Sequence, residues 1–545
     1  MNTGKAKSED GFTMIITLIA MTVMMMLAVV AVTAVNGDGH LSLRNLEQKQ
    51  AYEAAKAGVE DYAFHLDATN GSYWEKCTNV ELPNAVNQIG STAKTRPVPG
   101  TTGAKYAIEL IPSSTQTRYT QCSEIDPSGS MLEQTGQLPG SFRIRSNGFA
   151  GKAKATIVAT FKRPSFLDYV YFTQFETSDP ITYAGEKTWL PEAYKQCEKT
   201  MQEGRYAQEI PGSNGVYCNV ISFKSGEAIR GPLHSNDAIF VCGNPTFGRS
   251  PADSIEVGAP SPGWYGGTNA ALGEARLGSR ECPRAEPTFP GTFKTSSPPL
   301  NPPTTNSELS TIAEPAFRYS GQVRICLSGA TMKVSTNGTC DGSKYSGAIP
   351  ANGVVYVFNN SSCVSSKYDP YKVTYETTSG CGNALVSGEN YSGQLTIAAE
   401  NDVLISGPLT RQSGTNGMLG LIANNFVRVF HAYPTEKYNA EGKVECGSGA
   451  GESRLENLEI DAAILAIKHS FIVDHYNCGN DMGSLTVKGA IAQKFRGPVG
   501  TFSGSTTVNG YSKNYEYDDR LRYAEPPSFL DPVTKSWVIG RETAG

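Results

Sequence analysis

Between Phe12 and Asn36 no side chain is charged, and from Leu43 to Leu66 the apolar residues Leu46, Ala51, Ala54, Ala55, Val59 and Ala63 return at near-helical spacing with charges between them. This patterning predicts one long helix, apolar throughout its first half and amphipathic in its second. At ~1.5 Å per residue, ~20 residues cross the ~30 Å hydrocarbon core of a bilayer, so the uncharged run is expected to span a membrane. Lys5 and Lys7 precede the run and Asp38 is the first charge after it. That bias places the N-terminus in the cytoplasm and the body outside. The expectation is a single-pass membrane protein with an extracytoplasmic body. Its rival is a cleaved secretory signal, for which "AVTA" at Ala31 to Ala34 imitates the cleavage site.

Asn70 and Gly71 end the helical pattern, and the period then changes to two. "KYAIELI" and "SFRIRSNGFAGKAKATIVATF" alternate apolar and polar positions and are expected to be strands, with a tight turn at Asn147-Gly148. Further on the alternation recurs in a cadence: "LTIAAENDVLIS", "LGLIANNFVRVF" and "ILAIKHSFIVDH". Val403 and Val427 are 24 residues apart, and Val427 and Ile472 are 45 apart. Such steps match a coil in which inward aliphatics stack while Asn, Ser and Gly turn the corners. A parallel β-solenoid is expected, with a β-sandwich of hairpins as the alternative. From about 245 to 315 Pro, Gly, Ser and Thr dominate, and this stretch is expected to be a loop-rich insertion.

At 545 residues the chain exceeds one ordinary core. A net charge of −5 without any basic run excludes the electrostatic footprint of a nucleic-acid binder. Twelve cysteines, Cys77, Cys122, Cys197, Cys218, Cys242, Cys282, Cys326, Cys340, Cys363, Cys381, Cys446 and Cys478, all follow the apolar run. None forms a CxxC or sits at finger spacing with His, so disulfides in an oxidising compartment are expected and zinc is not. Spacing leaves the connectivity open; short loops favour sequential pairs, from Cys77 with Cys122 to Cys446 with Cys478.

The junction "EDG" followed by "FT" at residues 9–13 resembles the type IV prepilin and pseudopilin class. The resemblance implies peptidase cleavage between Gly11 and Phe12, leaving a new amino-terminal Phe at the head of an apolar helix. The family's glutamate would fall at position 16, which is Ile16 here. PilX-type minor pilins and tip-capping pseudopilins often lack that acid, so its absence points away from a major, fibre-building subunit. "AYEAAKAGVEDY" at Ala51 to Tyr62 is similar to the alanine-rich PilX signature, with Lys56 where an acid is usual. "FRIRSNGFAGKAKATIVATFKRPSFLDY" resembles the strand portion of PilX-like proteins. Tyr517, Asp518, Arg520, Leu521, Pro526, Pro527 and Trp537 resemble the ending of those with solenoid bodies.

The fold class expected is mainly β with a long N-terminal transmembrane α-helix, a pilin-like α+β first unit being followed by the parallel β-solenoid. The boundaries are a leader at 1–11, a membrane-spanning and amphipathic helix at 12–68, and a small pilin-like β unit at 69–165. A solenoid-like body at 166–510 and a tail or cap at 511–545 complete the chain.

No motif announces catalysis. HExxH, GxSxG, a Walker loop and GxGxxG after a strand are absent, and the SxxK match from Ser91 to Lys94 lacks its companion motifs. His469 and His475, six apart on one alternating strand, would lie ~20 Å apart and share no metal. Glu459, Asp461 and Asp474 are the carboxylates to weigh for glycoside chemistry, the first two facing one way from a strand. An outward, solvated face is the plainer reading of that pair. No catalytic residue, metal or cofactor is expected. The partners implied are the membrane, other pilin-like subunits, a prepilin peptidase and surface carbohydrate or protein, with no nucleic acid. The function implied is that of an exported minor pilin-like assembly protein of a type IV pilus or related secretion filament, displaying a β domain. A membrane-anchored carbohydrate-active enzyme and a plain anchored adhesin are the alternatives.

Overall fold

Helical spacing at Ala51, Ala54, Ala55, Val59, Tyr62 and Leu66 gathers those side chains on one face, and all six are buried in helix α1 (Asp10–Ala68). They lie on an antiparallel sheet of Lys105–Ile111, Ser141–Ala150, Ala153–Lys162 and Val538–Ala544. Ile108, Phe142, Ile144, Phe161 and Trp537 complete this small core. The Tyr62 ring lies 5.4 Å from that of Phe161, and Phe142 stacks on Phe161 at 5.2 Å. The computed structural model describes residues 10–68, 95–111, 141–182, 189–205, 218–266, 285–363, 380–431, 436–438, 444–446, 455–503, 506–533 and 537–544. It divides into two compact units, 1–163 with 535–545, and 164–534.

The transmembrane part of the expected fold class, and with it the single-pass membrane location, is corrected. Among the described residues no helix is long and apolar enough to cross a membrane. The described apolar side chains of the first half run from Met14 to Val29.

The expected Asn147-Gly148 turn is also corrected. Both residues lie inside the strand Ser141–Ala150, opposite Ala107 and Tyr106. The chain reverses instead at Gly151 and Lys152, where Gly151 takes the left-handed φ of +54° that the turn needs. Gly148 serves close packing, since a Cβ there would collide with the α1 backbone at Ala51 and Ala55.

The second unit is a stack of parallel ladders. Along one of them the order in space is Thr292–Lys294, Ser254–Val257, Leu233–Ser235, Tyr171–Phe175, Asp481–Phe495, Glu459–Ala466, Met418–Ala423, Gln394–Ala399, Val354–Phe358 and Arg318–Ser320. One column of partners, Ile397, Leu421, Ile464, Ile491, Tyr171, Leu233 and Ile255, runs through it in register, and every member is buried. Each such side chain stabilises the stack by ~1.5–3 kcal/mol. Val403 pairs with Val427 in a neighbouring ladder, and Val427 pairs with Phe471, one residue short of the Ile472 spacing read from the sequence.

That order means that the chain enters the stack in its middle, builds outward to Thr292–Lys294, crosses to the far edge, and builds back. The crossing is made by residues 295–317. Asn236 Nδ2 donates to the Leu300 carbonyl at 2.6 Å, Asn306 Nδ2 to the Ala399 carbonyl at 2.7 Å, and Asn352 Nδ2 to the Ile312 carbonyl at 2.7 Å. The crossing segment is thereby strapped to the stack at three places along its length. Within 245–315, expected as loop, Phe247, Ile255 and Val257 are buried strand residues. The expected tail contributes a ladder strand, Thr506–Tyr517, paired between Asp481–Phe495 and Ala228–Arg230 in the interior of the stack rather than over an end.

Disulfides join Cys197 to Cys218, Cys326 to Cys340, Cys363 to Cys381 and Cys446 to Cys478, and Cys242 is also disulfide-bonded. Cys77, Cys122 and Cys282 lie outside the described residues.

Candidate functional site

The first half of α1 presents apolar side chains on all its sides. Met14, Ile15, Ile16, Leu18, Ile19, Met21, Met24, Met25, Met26, Leu27 and Val29 are each at least half exposed. The Thr17 and Thr22 hydroxyls donate back to the Met14 and Leu18 carbonyls, both at 3.0 Å, so even the polar positions offer little to water. A contiguous apolar surface of this kind marks an interaction site. Ile16 sits within it, 52% exposed. Gly11 and Phe12 fall within α1, but their side chains lie outside the described residues.

The carboxylates weighed from the sequence do not converge on a reaction centre. Glu459 and Asp461 alternate with buried Ile460 on the strand Glu459–Ala466, so they do share a face. Glu459 is held by Lys488 at 2.6 Å, while Asp461 accepts the Arg411 amide at 2.9 Å. Burial, then the neighbouring charge of Glu459, pushes the Asp461 carboxyl up from its ordinary range despite that amide. Asp474 is elsewhere, buried and 2.7 Å from Arg428 Nε. His469 and His475 do not share a strand, because the strand between them covers only Phe471–Val473. His469 Nδ1 meets Asp179 Oδ2 at 2.5 Å and its ring stacks on Phe426 at 4.5 Å, whereas His475 Nδ1 faces the His431 carbonyl at 2.8 Å. No group of three or more His, Cys, Asp or Glu among the described residues could hold a metal ion.

A cavity of about 320 Å³ opens beside the strand Thr506–Tyr517. Its walls come from residues 219–222 and Lys224, from Phe240 and Cys242, from Tyr476, and from the hairpin residues 498–502. Lys513 also borders it. On that strand Tyr511, Lys513, Tyr515 and Tyr517 all face inward, as the period of two dictates. Lys513 Nζ lies 2.8 Å from Glu227 Oε1, and both residues are buried. Burial lowers the Lys513 ammonium below its ordinary range, with Glu227 pulling the other way. Behind them Arg496 pairs with Glu176 at 3.0 Å, donates to the Ile221 carbonyl at 2.9 Å, and lies 3.5 Å over the Phe223 ring. The rear wall is thus fixed by buried ion pairs.

Sequence reasoning missed Lys513, Lys224, Phe240 and Phe502 as cavity residues. A signal existed for Lys513 alone, a lysine on the tyrosine face of "YSKNYEY". The partners that explain it are far away in the chain.

No protein family matches the chain, and no curated protein does. Among solved structures, the competence-associated pilin ComZ from Thermus thermophilus aligns over 92% of this chain and 98% of its own, at 12% identity and a TM-score of 0.26. A similarity that low transfers neither fold nor role to this chain.

Proposed function

We propose that this protein is a pilin-like subunit of a type IV pilus-related filament, whose α1 packs laterally against the helices of other subunits and whose disulfide-bonded β unit is displayed for assembly or adhesion. The observation that carries this reading is the uncovered apolar surface from Met14 to Val29, continuous in one helix with a half that is buried under an antiparallel sheet. Burying that surface against neighbours is what its chemistry favours, at ~25 cal/mol per Å² of apolar area. The "EDG-FT" junction supports the same reading, with cleavage after Gly11. Ile16 leaves the Phe12 amine without a carboxylate partner from an identical subunit, which suits a minor subunit present in few copies.

The test is the N-terminal sequence of the mature protein isolated from its host, together with a photo-crosslinker placed at Met21. A start at Phe12 and crosslinks to other pilin-like subunits are expected. A start at Met1 with crosslinks to none of them would overturn the reading.

A further inference from the structure

The cavity beside Lys513 stands apart from the helix that the proposed assembly uses, and its chemistry is selective. At about 320 Å³ it falls at the lower end of the ~300–1,000 Å³ typical of small-ligand sites. Among the described residues no carboxylate lines it. Three partly exposed aromatic rings, Phe240, Tyr476 and Phe502, stand among the neutral hydrogen-bonding side chains of Ser178, Asn219, Ser222 and Thr501.

The charges select further. An ammonium has three donors, and Lys513, which borders the cavity, spends one on Glu227. Arg496 is balanced by Glu176 and Lys513 by Glu227, while Lys224, also in the wall, makes no ion pair with a described residue. The site therefore carries one surplus positive charge, enough for one carboxylate. Aromatic rings offer flat apolar faces to the C–H side of a pyranose, and the Ser, Thr and Asn side chains suit its hydroxyls. A bare anion would leave the rings unused, and a neutral sugar would leave the surplus charge unanswered.

We infer that this cavity binds a carboxylate-bearing sugar, a uronic acid unit of a surface polysaccharide, with Lys513 and Lys224 on the carboxylate and the aromatic rings on the sugar face. Such binding does not depend on whether α1 enters a filament.

The experiment is calorimetric titration of the full chain with sodium D-glucuronate and sodium D-galacturonate, beside D-glucose, sodium acetate and inorganic phosphate. At least one uronate is expected to saturate a single site with an affinity tenfold or more above all three comparators. Phe502→Ala, at a partly exposed position, should weaken uronate binding at least tenfold while leaving the circular dichroism melt unchanged. Removing Lys513 alone would strand Glu227, so the charge is tested with Lys513→Met and Glu227→Gln together. This pair should bring uronate down to the level of glucose. Equal binding of acetate or phosphate would overturn the inference in favour of a simple anion site. It is also overturned if both uronates fail to bind, or if Phe502→Ala binds them as the parent does.

Discussion

Arg496 Nη1 lies 3.0 Å from Glu176 Oε2 although 320 residues separate them, and neither side chain is more than 1% exposed. The pair sits where the outgoing and returning halves of the ladder meet, at the pairing of Tyr171–Phe175 with Asp481–Phe495. Other long-range ion pairs gather along the same seam: Lys513 with Glu227, Lys494 with Glu198 at 2.7 Å, Arg230 with Glu516 at 2.9 Å, and His469 with Asp179. Aliphatic columns make all rows look alike, so one row could dock on several others. Buried charges that must find opposite charges admit one register, which is the role such pairs fill best.

Removing one partner of the seam pair should therefore cost far more than removing both. Arg496→Met or Glu176→Gln alone leaves a buried charge unpaired and should destabilise by ~3–5 kcal/mol. The double variant should be less destabilised than either single one. Urea unfolding followed by far-ultraviolet circular dichroism reads this directly, and additive losses would mean the two charges do not act as a pair.

Glu256 supplies an acid-sensitive element. Burial alone would raise its carboxyl, but hydrogen bonds from His234 at 3.1 Å, Ser254 at 2.6 Å and Tyr169 at 2.9 Å hold it down to about 2 from an ordinary 4.5. The folded state thus binds the proton more weakly than the unfolded chain. Its contribution, at most ~3 kcal/mol, is complete above the unfolded value and disappears as pH falls through the folded one. Between pH 5 and pH 2 the parent should lose more stability than Glu256→Gln does. Parallel melting curves across that window check the difference.

The strap over residues 295–317 depends on Asn306, which is fully buried. Its Nδ2 satisfies the Ala399 carbonyl at 2.7 Å while its own amide donates to Asn424 Oδ1 at 2.8 Å. Asn306→Ala should cost ~1–3 kcal/mol by orphaning buried acceptors. Exposed Thr304, in the same segment, should tolerate Ala within ~0.5 kcal/mol. Faster amide exchange confined to 295–317 in the Asn306 variant is the expected signature.

Legibility in the sequence followed the range of the interactions. Ala51, Ala54, Ala55 and Val59, marked out by spacing, are buried, but Leu46 from the same pattern is half exposed. The step of 24 placed Val427 against Val403, since adjacent rows repeat at short range. Nothing local forecast that Tyr171 would pair with Ile491, or that Lys513 would answer Glu227. A periodic pattern reports which face is inward, and says nothing of which distant row lies next to it. The apolar run near the N-terminus misled in another way: composition shows where a segment avoids water, not how far it extends as a membrane-crossing helix.

Gly148 shows how a turn signal can be a packing signal. Asn-Gly favours a hairpin turn, yet here it lies in mid-strand with extended neighbours, paired to Tyr106 and Ala107. What requires the glycine is the closeness of α1: an added Cβ would meet the Ala51 carbonyl oxygen, the Ala55 amide nitrogen and, at 3.0 Å, the Ala54 carbonyl carbon. All three are backbone atoms and cannot rotate away. Gly148→Ala should therefore push the helix off the sheet, at a cost of ~1–3 kcal/mol typical of overpacking. Asn147→Ala tests the turn explanation, because a turn needs Asn as well. Asn147 Nδ2 bonds Glu109 Oε1 at 3.0 Å and its Oδ1 accepts from Thr156 at 2.8 Å, so its loss should cost ~1 kcal/mol without moving the helix. Near-ultraviolet circular dichroism of Tyr62, Phe142, Phe161 and Trp537 should change in the Gly148 variant and stay as in the parent for Asn147→Ala. If Gly148→Ala left both the spectrum and the stability unaltered, the close approach of helix and strand would be disproved.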